Sequence, residues 1–363
     1  GYDFDNTNEV KYLGGGNANI FSGDSRVSVI GLFNNVNQQN FSFEDILGVS
    51  GSAGAASGGR RGMGQYMVRP QSGVASVDAI GINYSDTWGK RDQVSFQGSY
   101  FFNNTHTTNH STVDRWYEAP MYKVDTLSTE GYSDTKANNH RFNARLEWKI
   151  SENQNLMIRP SFSYQSNDPL STTLGWQYGA PAAGGSGYSR TDNYSDALRH
   201  GYTVRTSAVY RAKLGKAGRT ITLDADVRYT DNTNNSDSWS NMLGSQPVRP
   251  EIWNSSATYV DPETGEIRPY FDPRYLRNLA PSTSLSLRGN FTYTEPLGKF
   301  TQFSMQYRSS YTSNERDKRS YITGPDFSTD GLIPDPQLSN SYRSDYFTQS
   351  VGPGIRYAKE RNT

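Results

Sequence analysis

The sequence has no cysteine among its 363 residues and only four histidines. Without thiols there is no disulfide framework, no thiolate zinc site and no cysteine nucleophile. Four histidines leave little for a transition-metal centre. The 36 basic and 36 acidic side chains give a formal net charge of zero, so no basic excess marks a nucleic-acid binder. No apolar run approaches the ~18 residues of a membrane-crossing helix. The chain opens on Gly1-Tyr2-Asp3 with neither an initiator Met nor a signal peptide, and reads as a processed product or a piece of a longer protein. Hydrophobic residues are also scarce, at 34%, which in many chains signals disorder. Disordered chains are poor in aromatics, however, and this one carries 25 Tyr and 16 Phe. Few helix formers and many β-branched, aromatic, Ser, Asn and Gly residues point instead to an all-β protein.

Period-2 alternation is the dominant pattern. Phe142, Ala144, Leu146, Trp148 and Ile150 share one face, and Arg141, Asn143, Arg145, Glu147 and Lys149 share the other. Ile221, Leu223, Ala225, Val227 and Tyr229 alternate with Thr220, Thr222, Asp224, Asp226 and Arg228. The same rhythm runs through 94–102, 156–164, 202–214, 285–293, 303–311 and 347–357. A helix repeats at 3.6 residues and cannot produce it.

These runs come in pairs joined by short turns: Gly23-Asp24, Trp88–Arg91, Ser151–Gln154, Gly215–Gly218 and Glu295–Gly298, with Lys359–Asn362 reading as a sixth. The expected strands are 10–21, 26–36, 77–87, 92–104, 139–150, 155–165, 201–214, 219–231, 282–294, 299–313 and 344–357. Long connections are expected at about 37–76, 105–138, 166–200, 232–281 and 314–343. Tight turns at one end and long loops at the other are the asymmetry of an antiparallel transmembrane β-barrel, with short periplasmic turns and long extracellular loops. The face chemistry agrees, since an apolar outer face meets lipid while a polar inner face lines water. Aromatics gather at strand ends as girdles: Trp88, Trp148, Tyr210, Tyr293 and Tyr357 near the turns, Phe102, Tyr164, Tyr202, Tyr229 and Tyr311 toward the loops. A soluble β-sandwich or propeller is the alternative, but its strands are shorter and its long loops are not confined to one end. About eleven strands are countable, whereas single-chain bacterial barrels have even numbers. Residues 1–363 therefore read as one partial barrel domain, about half of a barrel of 22 strands and roughly 700 residues.

The stretch Tyr12-Leu13-Gly14-Gly15-Gly16-Asn17-Ala18-Asn19-Ile20-Phe21, followed by Ser25 to Phe41, resembles the barrel region of TonB-dependent outer-membrane receptors. Ser42-Phe43-Glu44-Asp45-Ile46-Leu47-Gly48 resembles the start of an extracellular loop in the same branch, the outer-membrane β-barrel family proteins. The resemblance covers about residues 10–50; beyond them it rests on hairpin spacing and on the Tyr/Asn/Arg style of the strands. It implies a 22-stranded barrel in the bacterial outer membrane, a plug domain and a TonB complex as partners, and energised import of a ligand. The plug and its TonB-contacting segment are not among these residues. The ligand class (small molecule, glycan or peptide) stays open. So does a second use of the same architecture, a non-transporting barrel or adhesin that binds a partner through its loops.

Candidate binding residues fall into two groups. Aromatics in the expected loops, Trp116, Tyr117, Trp176, Tyr178, Trp239 and Trp253, are candidate ligand platforms for stacking or cation–π contact, or else pack the loops on one another. Charges on the polar strand face, Arg145, Glu147, Arg205, Asp224, Asp226, Arg228, Arg288 and Arg308, are expected to face the lumen, most of them solvated or paired across strands. Other constellations favour plainer readings. His106 and His110, four apart on an extended chain, lie about 13 Å from each other and make a poor metal pair. Gly51 to Gly62 reads as a flexible loop, because it lacks the strand-to-helix setting of a phosphate loop. Asp261 to Gly265 reads as a hairpin turn, and neither it nor Asp326, Asp330 and Asp335 has calcium-loop spacing. His140 and His200 stand at strand ends without a nucleophile, so no catalytic set, no metal and no cofactor is expected.

Overall fold

The computed structural model describes residues 10–37, 72–90, 92–116, 124–179, 188–243, 258–260, 267–269 and 274–357. Among these residues the structure is all-β. Eleven strands form one antiparallel sheet: β1 (Leu13–Ser22), β2 (Ser25–Asn34), β3 (Val74–Trp88), β4 (Val94–Trp116), β5 (Val124–Ser151), β6 (Gln154–Gly179), β7 (Tyr188–Lys213), β8 (Thr220–Leu243), β11 (Arg274–Pro296), β12 (Thr301–Thr323) and β13 (Asn340–Tyr357). A separate small hairpin, β9 (Thr258–Val260) with β10 (Ile267–Pro269), lies between β8 and β11 in sequence. It flanks the segment read as a turn, although 261–266 themselves fall outside the described residues. Each strand of the large sheet pairs with the next in order, and β1 and β13 are its two edges; the sheet is not closed.

The turns Gly23-Asp24, Ser151–Gln154, Gly215–Gly218 and Glu295–Gly298 sit where the sequence puts them, and Arg91 of the turn expected at Trp88–Arg91 lies outside the described residues. Ser22 pairs with Ser25, leaving Gly23 and Asp24 as the loop, and Gly23 takes the left-handed φ of 59° that its missing Cβ permits. Ser151 pairs with Gln154 around another two-residue loop. In the β7–β8 turn Leu214 N–H donates to the Arg219 carbonyl at 2.9 Å. The expected turn at 359–362 lies outside the described residues.

The other ends differ from expectation. Most of 105–138, 166–200 and 232–281 was expected to be loop, yet β4 runs on to Trp116, β5 begins at Val124, β6 reaches Gly179, β7 begins at Tyr188, and β8 extends to Leu243. Likewise β12 continues to Thr323 within the expected loop 314–343. The reason is chemical. Past Phe102 both faces of β4 turn polar, with Asn103, Thr105 and Thr107 on one side and Asn104, His106 and Thr108 on the other. The hydrophobic alternation disappears, but backbone pairing with β5 continues without a register shift as far as Trp116↔Thr126. Prolines interrupt this ladder locally. Pairing is missing beside Pro160 between β5 and β6, beside Pro169 between β6 and β7, and beside Pro281 between β11 and β12, as expected of a residue without an N–H.

The register shifts only at the two ends of the β5–β6 ladder, between Val124 and Thr126 and between Lys149 and Ser151, so elsewhere each residue's face follows from its parity. One face carries Phe96, Tyr100, Phe142, Leu146, Ile158, Phe162, Val204, Leu223, Val227, Leu287, Met305 and Val351. Many of these are exposed, including Phe142 at 39%, Phe162 at 41% and Val227 at 45%. Aromatics bracket the band. Trp88 and Phe96 stack at 6.1 Å near the turns, and Phe300 meets Tyr357 at 6.4 Å. Toward the far ends, His140 packs between Phe102 (4.8 Å) and Tyr164 (5.9 Å), and Tyr202 lies 5.9 Å from Tyr229. From Tyr202 to Tyr210 the strand spans about 27 Å at ~3.4 Å per residue. With a barrel tilt of 35–45° that is roughly 20 Å of height, close to the ~25 Å apolar band of membrane barrels.

The opposite face is polar over most of the sheet but apolar on β2 to β4. There Ile30, Leu32, Ala75, Val77, Ala79 and Phe101 form the buried hydrophobic cluster, none more than 5% exposed. Gly81 lies directly opposite Phe101 in the ladder, and a Cβ on it would come 2.7 Å from Ile30 Cγ2.

Candidate functional site

The polar face of β5 to β13 encloses a pocket of about 890 Å³. Its lining side chains come from seven strands: Asn143 on β5, Arg159 and Ser161 on β6, Arg205 and Ser207 on β7, Asp224 and Asp226 on β8, Arg288 and Asn290 on β11, Arg308 and Ser310 on β12, and Thr348 and Ser350 on β13. Register explains the convergence. Asp226 stands opposite Ser207 and Arg288, Arg288 opposite Ser310, and Ser310 opposite Thr348. One step along, Asp224, Asn290, Arg308 and Ser350 form a parallel row.

All eight charges expected on the polar strand face lie on this side of the sheet, and five of them line the pocket: Arg205, Asp224, Asp226, Arg288 and Arg308. Arg205 donates from Nε to Asp226 Oδ2 at 2.9 Å. Asp224 is held by a neutral group instead, accepting from Asn290 Nδ2 at 2.9 Å, while Asn290 Oδ1 accepts from Gln306 at 3.0 Å. Arg145 pairs with Glu147 on its own strand. Arg228 stands directly opposite Arg205. Arg159, which also lines the pocket, was not singled out from sequence; its position on the polar face of the alternating run 156–164 was the available signal.

The aromatic candidates are placed differently. Trp116, Trp176 and Trp239 belong to strands β4, β6 and β8 rather than to loops, and by parity they lie on the face away from the pocket. Trp116 is 74% exposed. Trp239 stacks on Tyr194 at 6.2 Å with a 10° tilt. Tyr117, Trp253 and the side chain of Tyr178 lie outside the described residues.

The remaining polar clusters have local partners. His106 Nε2 lies 2.9 Å from Asp134, and His110 packs on the Tyr132 ring at 4.7 Å, so each of the two histidines engages its own neighbour on β5. Asp335 accepts the N–H groups of Gln337 (2.7 Å) and Leu338 (3.1 Å), and Asp326 accepts that of Ser328 (3.1 Å), the ordinary work of turn carboxylates. His140 Nδ1 is 2.9 Å from the Tyr100 hydroxyl. Among the described residues there is no group of three or more His, Cys, Asp or Glu side chains placed to hold a metal ion.

One ionic contact was not anticipated. At the turn end, beyond the apolar band, Glu295 accepts from Arg219 Nε at 2.6 Å, from the Tyr293 hydroxyl at 2.6 Å and from Lys216 at 3.0 Å. It ties the β7–β8 turn to the end of β11. Hydrogen bonding by Arg219 first, then by Tyr293 and Lys216, holds the Glu295 carboxyl well below the usual carboxylate range. A folded-state pKa below the unfolded value makes the contribution complete above the ordinary Glu range and lost as pH falls. Glu295→Gln is therefore expected to flatten the acid limb of a stability–pH curve below about pH 4.3, the ordinary Glu value, leaving the neutral limb parallel to the wild type. Urea titrations across pH check this; an unchanged acid limb counts against the clamp.

No known protein family matches this chain, and no curated protein does either. Among solved structures it is similar to the siderophore receptor PiuA from Acinetobacter baumannii, at 13% identity and a TM-score of 0.44. That alignment covers 94% of this chain and 44% of the receptor, so the chain spans less than half the length of the protein it matches.

Proposed function

We propose that this chain forms part of the wall of a bacterial outer-membrane β-barrel receptor, which captures a ligand at its loop end and imports it along the polar face. One observation carries the reading: the sheet segregates its faces. An exposed apolar band bracketed by aromatics occupies one side, and a charged, concave pocket occupies the other. In water an exposed apolar band is a liability, whereas in lipid it is the matching surface. The partners that follow are outer-membrane lipid, a plug domain, a TonB complex and a small-molecule, glycan or peptide ligand.

Lipid contact is tested by tryptophan quenching. A variant keeping only Trp148, the others changed to Phe, is reconstituted in liposomes containing brominated lipid. Trp148 is 45% exposed at the turn-side border of the band. Strong quenching is expected from bromines near the headgroups and weaker quenching from bromines deep in the chains. A second variant keeping only Trp239, in the polar extension of β8, is expected to be quenched little. Equal insensitivity of both, or a chain that stays dispersed without detergent, overturns the membrane reading.

A further inference from the structure

We infer that the pocket on the concave face is a binding site for a small multivalent oxyanion, recognised through Arg288, Arg308 and Arg159. The inference rests on reading that face as the water-filled side of the barrel wall. Four arginines and two aspartates line the pocket, a balance of 4 − 2 = +2. The pairing sharpens the imbalance. Asp226 is taken by Arg205, and Asp224 is satisfied by the neutral amide of Asn290. Arg159, Arg288 and Arg308 have no ion pair or hydrogen bond among the described residues.

Their placement is specific. Arg288 faces Ser310 across the ladder and Arg308 faces Asn290, so the two arginines are diagonal neighbours on adjacent strands. Diagonal positions are about 7–8 Å apart, within reach of long side chains. Two like charges so close repel one another when nothing lies between them. Asn290 accentuates this: it spends its amide on Asp224 and thereby leaves Arg308, directly opposite, without a carboxylate. Guanidinium forks match the oxygens of carboxylate and phosphate in a bidentate way, and an anion of charge −2 or more could engage both at once. Ser310 and Thr348 are small enough to leave room, and since their hydroxyls share one hydrogen bond at 2.6 Å, the other O–H is left to donate.

The test uses the full chain in detergent micelles, with citrate and inorganic pyrophosphate as probes in separate calorimetric titrations. Binding of at least one probe is expected, weakening as salt is raised, because added ions screen the attraction. Citrate alone identifies a carboxylate site, pyrophosphate alone a phosphate site, and both support the oxyanion assignment. The R288Q/R308Q double variant is expected to bind about tenfold or more weakly, in line with the loss of charge-assisted hydrogen bonds. An R319Q/R343Q control removes the same charge from residues outside the pocket, paired with Asp317 and Asp345, and is expected to bind as the wild type does. If the double variant does not fold, R288K/R308K keeps the charge but loses the fork, and a several-fold loss is then expected. No binding by either probe, or equal losses in double variant and control, overturns the site. The same samples, moved to brominated liposomes, separate the two readings. Insertion without anion binding sinks the oxyanion site alone, whereas anion binding without insertion sinks the membrane reading alone.

Discussion

Val227→Arg is expected to cost about 2–4 kcal/mol of stability in lipid, or to abolish insertion, because it puts a cation in the middle of the apolar band. Val227 lies on β8 with Leu223 and Ala225 toward the turn and Tyr229 toward the far end, and it is 45% exposed on that face. Its ladder partners Thr206 and Leu287 offer no carboxylate. The informative comparison is Thr292→Arg. Thr292 lies on the opposite face, between Thr222 and Gln306 in the ladder. An arginine there meets water and amide neighbours and is expected to change stability by no more than about 0.5 kcal/mol. Urea unfolding of the lipid-embedded variants checks both. Equal effects at the two sites would mean that the faces are not divided between lipid and water.

Phe101→Ala is expected to destabilise by about 3–5 kcal/mol, the usual range for a large buried aromatic. Phe101 is 5% exposed, in a cluster with Ile30, Leu32, Ala75, Val77 and Ala79, and it lies opposite Gly81, where no side chain competes for the space. Truncation leaves a cavity that the tight β2–β4 ladder cannot easily collapse. Phe142→Ala provides the contrast. Phe142 lies on the apolar face at 39% exposure, where lipid chains can fill the vacated volume, so a distinctly smaller loss is expected. The same unfolding titration ranks them, and a Phe142→Ala loss equal to that of Phe101→Ala would remove the distinction between a protein-packed and a lipid-packed ring.

The two faces differ in how far the sequence revealed them. Outward residues such as Leu223, Val227 and Phe142 were legible because strict alternation survives wherever one face is apolar and the other polar. The turns were legible for a similar reason, since Gly and charged residues interrupt that alternation sharply at positions such as Gly23-Asp24 and Gly215–Gly218. The strand extensions were not. From Asn103 to Thr112 both faces are polar, and a ladder held by backbone hydrogen bonds leaves no hydrophobic trace. That is why Trp116, Trp176 and Trp239 read as loop aromatics, when continuous register places them on strands and on the face away from the pocket. The buried face of β2–β4 was also hidden, because Ile30 and Leu32 on it alternate with Val29 and Phe33, which are equally apolar. The charges were legible as a face but not as a site. Arg159, Arg288 and Arg308 are scattered over about 150 residues of sequence, and only the register of four successive ladders, β6 to β12, brings them to one concavity.

The order of the sheet has a further consequence. Each strand pairs with its immediate predecessor and successor in the sheet, and the described hairpins close through turns of only a few residues. Closing such a loop costs little chain entropy, and an isolated hairpin forms in about 1–10 μs. Each hairpin also carries its own inward and outward faces, fixed by its own parity. Assembly can therefore advance one hairpin at a time, each new pair of strands adding to the exposed edge of the last. By the same logic a whole hairpin is the natural unit of gain or loss over evolutionary time. Adding or deleting one changes the width of the sheet but leaves the facing of every other residue as it was, while a single-residue insertion within a strand would turn all that follows it in that strand to the wrong side.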